Sequence, residues 1–282
     1  IFDVDSTVSS IEGIDWLAAL RDDDVARESE MLTAQAMAGE IPIEAAYMRR
    51  LDRIKPAASE LLMLADAYQQ SIVPGMRELI GVLQRARVHV HLLSGGLRAA
   101  IVPMALHLGV PADRVHAVSL SRDVDGRFSL LDGEQPLATQ RGKPLVVQRL
   151  QLRKRIAMIG DGSTDGAARG VVDAFFAFTA VARRESVIKV ADAEAAVLGV
   201  DADVGAVVPG AARVVVGVRA ARDHLVEDVL RALQVEVDEE AGAEADHALL
   251  CQRLAARTVG REGNGVPLGE KVLGGEEVRL GQ

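Results

Sequence analysis

Apolar residues along this chain fall into two alternating patterns. Short unbroken runs, IFDV at the start, VHVHLL at 88–93, RIAMIG at 155–160 and AFFAF at 174–178, have the length and composition of strands buried on both faces. Between them lie segments of helical period. Ile14, Leu17 and Leu20 form one stripe, and Leu61, Leu62, Leu64 and Ala65 begin another, within a region of helices over 14–70 broken at Gly39, Pro42 and Pro56. Pro74-Gly75 turns the chain into a helix, MRELIGVLQRAR. A further helix, LRAAIVPMALHLG, is closed by Gly109 and carries Pro103 as an expected kink, and residues 144–152 read as helical. DVDGRF holds the Asp-Gly pair of a hairpin turn. Strand, helix, strand, helix with short links predicts an α/β domain with a doubly wound parallel sheet, in which ligands sit beyond the carboxyl ends of the strands.

Three polar clusters stand at such ends: Asp3-Val4-Asp5-Ser6-Thr7, Ser94-Gly95-Gly96, and Gly160-Asp161-Gly162-Ser163-Thr164-Asp165. Strand alternation puts Asp3 and Asp5 on one side. A carboxylate there can act as a nucleophile that forms an aspartyl-phosphate, or as an oxygen ligand for Mg²⁺. The second carboxylate can carry a proton to a leaving alcohol and later take one from water. The backbone N–H groups of 94–96 can hold phosphate oxygens, helped by the helix that follows. Lys143, after Gly142, would offset phosphate charge. Asp161 can complete a Mg²⁺ site with Asp3 and the Asp5 carbonyl, and Asp165 can orient Lys143 or a metal-bound water. Taken singly, each cluster also has an ordinary reading: a turn cap, an N-cap serine, a surface lysine, an Asx turn. Their common placement at the strand ends argues for function.

The order DxDST, SGG, GK, GDGxTD resembles the haloacid dehalogenase superfamily of phosphatases. FDVDSTVSSIEGID, MRRLDRIKP, PGMRELI, LLSGGLR, LGVP, GK and MIGDGSTD carry the resemblance further, to its phosphoserine phosphatase family, over residues 1 to about 192. The resemblance implies a Rossmann-like core (1–11 and 74–192) with an inserted helical cap (12–73). It makes Asp3 the nucleophile and Asp5 the acid/base, with Mg²⁺ held by Asp3, Asp5 and Asp161 and Asp165 behind them. The substrate-binding set becomes Glu12, Arg50, Ser94, Gly95, Lys143 and Thr164. Glu12 would pair the ammonium of O-phospho-L-serine and Arg50 its carboxylate, with Arg49 adjacent and Met37 near the pocket. The implied activity is the last step of serine biosynthesis. Two alternatives stand beside it: a phosphatase for another small phosphomonoester, and a non-catalytic fragment on the same scaffold.

Composition changes this picture at its edges. A net charge of −9 over 282 residues argues against a nucleic-acid partner. A single cysteine, Cys251, precludes an internal disulfide and points to a reducing, cytoplasmic setting. No apolar run is long enough for a membrane span. The first residue is Ile1, inside the first motif, so residues ahead of it are expected to be missing. The pattern does not set an oligomeric state. His89 and His91 share a strand face at metal-binding spacing, but a covered sheet face explains them without a ligand. After Phe178 there are no aromatic residues and after Met158 no methionine. Residues 193–282 are Ala/Val/Gly-rich, carry helical spacing at Leu225, Val229 and Leu233, and are expected to form a poorly defined extension.

Overall fold

The protein's computed structural model describes residues 1–201, apart from 38–39, 123, 126–127, 132 and 154, together with the strand backbone at 213–219. Gly39, the side chain of Met37, the helical spacing at 225–233 and Cys251 lie outside the described residues.

A parallel sheet is built on the first four residues. Phe2 bridges Leu92 on one side and Ile159 on the other. Its N–H donates to the His91 carbonyl at 2.8 Å, and Asp3 N–H donates to the Ile159 carbonyl at 2.9 Å. Outward from this centre, β1 (Leu92–Leu97) pairs in parallel with β2 (Val115–Val118). On the other side come β5 (Ala157–Gly160), β6 (Ala174–Phe178) and β7 (Ala193–Asp201), all parallel, and then antiparallel β8 (Arg213–Arg219). β3 (Leu120–Arg122) and β4 (Phe128–Leu131) form the hairpin predicted around DVDGRF.

Pleating explains the unbroken apolar runs. Phe175 and Ala177 point into one cluster with Ile1, Leu93, Met158 and Val147, while Ala174, Phe176 and Phe178 point into another with Phe2, Val4 and Leu92. Helices cover both faces: α5 (Met76–Arg85) and α6 (Arg98–His107) lie on one, α7 (Gly142–Leu150), α8 (Ser163–Gly166) and α9 (Glu185–Ile188) on the other. The expected doubly wound α/β class is therefore the observed one.

Four helices, α1 (Gly13–Ala18), α2 (Asp23–Met37), α3 (Ile43–Ile54) and α4 (Ala58–Gln70), form the insert between the first motif and α5. The breaks fall where the sequence placed them: Pro42 caps α3, and Lys55-Pro56 precedes α4. The insert leaves and returns through paired backbone, with Val73 N–H on the Val8 carbonyl (3.0 Å) and Ser10 N–H on the Ser71 carbonyl (2.8 Å). A neck of two hydrogen-bonded segments joins this helical insert, the expected cap, to the sheet.

Three details differ from the sequence reading, the first being that the strand expected over 88–93 begins only at Leu92. β1 does not stop at Ser94 but runs to Leu97, and α6 starts directly after it. The pairing register slips between Leu93 and Leu97, so residues 94–96 leave the regular ladder while the backbone stays extended. At the other end, the sheet continues past Asp192: β7 pairs with β6 from Phe176↔Ala193 onward. β7 has no aromatic residues, and small residues suffice because Ala193 and Ala195 pack into a core already formed by Phe176 and Phe178.

Candidate active site

The carboxyl edge of this sheet gathers the predicted clusters. Asp3 follows the central segment, Asp161 and Asp165 follow β5, and Lys143 is in the first turn of α7. All four are buried. Carboxylate oxygens of Asp3, Asp161 and Asp165 lie within 4.8 Å of one another. The Lys143 ammonium reaches Asp3 Oδ1 at 2.7 Å and Asp165 Oδ1 at 2.5 Å. Burial by itself would lower the Lys143 pKa, but Asp165 and Asp3 more than offset this and hold it raised. Burial and the neighbouring Asp3 push Asp165 up to about 7, against the opposing pull of Lys143.

Glycines make these approaches possible. A Cβ on Gly142 would sit 1.8 Å from the Pro136 carbonyl oxygen, so only glycine lets α7 start against that turn and deliver Lys143. A Cβ on Gly160 would sit 2.3 Å from the Asp165 carboxyl carbon. Asp165 closes its own turn by accepting from Gly162 N–H at 2.9 Å. Thr7 donates to Asp161 Oδ1 at 3.2 Å, which ties the first motif to the last.

Asp5 is held by three donors. Gly13 N–H and the Tyr68 hydroxyl both donate to Oδ1 at 2.7 Å, and Ser94 Oγ donates to Oδ2 at 3.1 Å. Burial, with the charges of Glu12 and Asp3, pushes its pKa up to about 7. That is the range of a group able to give and take a proton near neutrality. Ser6, next in the chain, adopts φ 54°, a left-handed conformation that costs a non-glycine residue energy. It turns the chain sharply after Asp5 and donates to Glu12 Oε1 at 2.6 Å.

Ser94 is fully buried and accepts Gly96 N–H at 2.8 Å, and Gly95 presents its carbonyl to the Tyr47 hydroxyl at 2.9 Å. Thr164 is half-buried on α8. Of the cap pair, Glu12 is exposed, whereas Arg50 is already engaged: it contacts the Asp15 carboxylate and donates through Nε to Ser29 Oγ at 2.8 Å, and Ser29 donates on to Asp15 at 3.1 Å. Arg49 is directed elsewhere, 3.7 Å from Glu28.

Sequence reasoning missed five residues here. Tyr47 and Tyr68 arrive from the cap, and Asp15 and Ser29 hold Arg50. Arg184, in the loop after β6, places its guanidinium on the Asp161 carboxylate, donates to the Asp161 carbonyl at 3.2 Å, and lies 4.0 Å from Glu12. Its position beyond another strand end was the available signal. His91, by contrast, sits at the opposite edge of the sheet with its Nδ1 3.1 Å from His116 Nε2, away from this cluster.

The donor set fits a hard divalent cation: three carboxylates converge and only one of the two neighbouring cations, Lys143, is enclosed among them. The sequence pattern of the haloacid dehalogenase-like hydrolases matches residues 1–168. The chain belongs to that family. Among its relatives, the human phosphoserine phosphatase is 41% identical over 180 residues, 63% of this chain and 79% of that protein. The chloroplastic phosphoserine phosphatase of Arabidopsis thaliana is 38% identical over 196 residues, 68% of this chain and 66% of that protein. A phosphoserine phosphohydrolase-like protein from Francisella tularensis shares the fold with a TM-score of 0.61 and 24% identity, over 68% of this chain and 92% of that one. The resemblance read from the motifs thus holds. For this haloacid dehalogenase-like hydrolase, the convergence of both ends of the core on one carboxylate cluster is what its motif spacing required. No helix among the described residues is long and apolar enough to cross a membrane.

Proposed function

We propose that this hydrolase releases phosphate from O-phospho-L-serine through an aspartyl-phosphate on Asp3. The observation that carries the reading is the contact of one buried lysine with both Asp3 and Asp165, beside Asp161 and next to a separately held Asp5. Relatives named phosphoserine phosphatase at about 40% identity support it.

Asp3, Asp161 and the Asp5 backbone would hold Mg²⁺, which when bound would stabilise charge on the phosphoryl oxygens. The chain's own groups account for the rest. Lys143 fixes Asp3 by Oδ1 and supplies a positive charge next to the phosphoryl site. Asp3 attacks phosphorus, the ester P–O bond breaks, and the departing serine oxygen takes the proton of Asp5. Asp5, now ionised, takes a proton from water, which attacks the aspartyl-phosphate and restores Asp3. Ser94 and the backbone at Gly95 are assigned to the phosphate. Asp165 holds the Lys143 ammonium in place.

Substrate choice is assigned to the cap, with Glu12 for the ammonium and Arg50 for the carboxylate. One observation favours a different small phosphomonoester instead: the guanidinium of Arg50 already has Asp15 and Ser29 as partners. The deciding measurement is phosphate release from O-phospho-L-serine, with and without Mg²⁺, alongside a panel of small phosphomonoesters. Mg²⁺-dependent release, highest for phosphoserine, is expected. Release no greater than that of Asp3→Asn would overturn the reading, and a stronger substrate lacking an amino acid moiety would replace it with the alternative.

A further inference from the structure

The chain has two tyrosines, both in the cap, and both are buried with their hydroxyls on catalytic motifs: Tyr47 on the Gly95 carbonyl and Tyr68 on Asp5. Tyr68 has the more specific consequence. A carboxylate oxygen has two lone pairs. On Asp5 Oδ1 both are taken, one by Gly13 N–H and one by Tyr68 OH, each at 2.7 Å. The amide is a donor and nothing else. The phenol, protonated at neutral pH as any tyrosine is, is placed as a donor to the same oxygen. Gly13 fits the arrangement because a Cβ there would lie 2.0 Å from the Tyr68 hydroxyl oxygen.

We infer that Tyr68 is a positioning residue for the acid step: with Gly13 it occupies Asp5 Oδ1, so the proton that Asp5 delivers resides on Oδ2, the oxygen beside Ser94. The inference rests on the phosphatase reading above. The step balances as follows: the proton leaves Oδ2 for the ester oxygen, the P–O bond pair stays with that oxygen, and the product is a neutral alcohol with Asp5 left ionised. The resulting carboxylate is then held by all three donors, Gly13, Tyr68 and Ser94. Without the phenol, Oδ1 regains a free lone pair, the proton is shared between two oxygens, and the carboxyl can rotate.

The test is Tyr68→Phe with two substrates that differ in their need for an acid. Serine is a poor leaving group that needs the proton to depart as an alcohol, whereas nitrophenolate leaves without one. With O-phospho-L-serine, kcat should fall about 10- to 100-fold with KM changed less than about 3-fold. With 4-nitrophenyl phosphate the pre-steady-state burst of nitrophenolate should persist at wild-type rate. Tyr47→Phe, which loses a cap hydroxyl that does not touch Asp5, should affect both substrates alike. Gly13→Ala, which pushes the hydroxyl off Asp5 while keeping the tyrosine, should reproduce the Tyr68→Phe pattern and serves if that variant folds poorly. Equal losses of phosphoserine turnover and of the nitrophenolate burst in Tyr68→Phe would make Tyr68 a packing residue, and unchanged kinetics would make its hydroxyl irrelevant; both overturn the inference and leave the phosphatase reading standing. A wild-type chain inactive on phosphoserine would remove both.

Discussion

The sheet edge and the cap solve the problem of holding charge differently. At the edge, Asp3, Asp161, Asp165 and Lys143 are fixed by strand ends and by glycines that admit no side chain, and three of the four side chains face one another directly. Three carboxylates there meet two cations, Lys143 among them and Arg184 on Asp161 from the neighbouring loop, which leaves the acidic groups in the majority. In the cap, Arg50 is balanced by direct contact with Asp15, with Ser29 bridging the two as well, and Glu12 sits in the open with a serine hydroxyl as partner. The edge is poised to perform one chemistry on any phosphomonoester that reaches it. Of the two cap residues, Arg50 must exchange partners before it can hold a ligand's carboxylate. On the proposed reading, reaction type belongs to the edge and selectivity to the cap.

The contrast breaks first at Asp3. Asp3→Asn keeps the shape of the side chain and removes the nucleophilic oxygen, so turnover of every phosphomonoester should fall by about 10⁴-fold or more while the protein stays folded. Phosphate release compared over phosphoserine and 4-nitrophenyl phosphate measures it. Retention of more than a trace of activity with either substrate would move the chemistry away from this edge.

Arg50→Ala should do the opposite: a loss of about 100-fold in kcat/KM for phosphoserine and less than about 3-fold for 4-nitrophenyl phosphate, which has no carboxylate to grip. Equal losses on the two substrates would mean that Arg50 organises the cap through Asp15 and Ser29 and does not meet the substrate.

The sequence made the edge far more legible than the cap, for a physical reason. Asp3, Ser94 and Asp161 each terminate a short apolar run, and parallel strands bring such ends together whatever the intervening chain does. Lys143 needed only its glycine. Cap residues have no such rule. Tyr68 stands at the spacing of Leu61, Leu64 and Ala65, all buried on the same helix, so its position reads as core, and nothing local shows that its hydroxyl meets Asp5. Asp15 and Ser29 lie 35 and 21 residues before Arg50 on two other helices, and only packing joins them. Arg184 reads as one of two adjacent loop arginines, until the strand before it is placed beside β5. The extended run through Ser94-Gly95-Gly96 was missed because glycines signal a strand end, whereas here they mark a register slip within one.

A smaller effect tests the rigidity attributed to the edge. Gly142→Ala puts a methyl group 1.8 Å from a backbone oxygen that cannot swing away as a side chain would. The start of α7 must shift, and Lys143 with it. The expected cost is about 1–3 kcal/mol of stability, read from denaturant midpoints, together with a drop in kcat on both substrates. A stable variant with wild-type kcat would show that the edge tolerates movement and is not held as firmly as its glycines indicate.

The smallest expected effect isolates the cap. Glu60 accepts a two-pronged pair from Arg21 at 2.7 Å on each oxygen and also accepts the Ala57 N–H at 2.7 Å, so it fastens the start of α4 to the chain segment after α1. The pairing also holds Arg21 above its usual pKa. Glu60→Gln keeps an acceptor for the backbone but loses the charge, which should cost about 1–2 kcal/mol because both partners are largely covered. The loss should fall on the cap: faster amide hydrogen exchange in α4, a raised KM for phosphoserine, and an unchanged nitrophenolate burst from 4-nitrophenyl phosphate. Because α4 also carries Tyr68, the same variant asks whether loosening the helix start is felt nearly three turns away at Asp5. Faster exchange confined to the first turn, with kcat unaltered, would show that α4 is anchored for catalysis by its burial against α6 and not by its capped end.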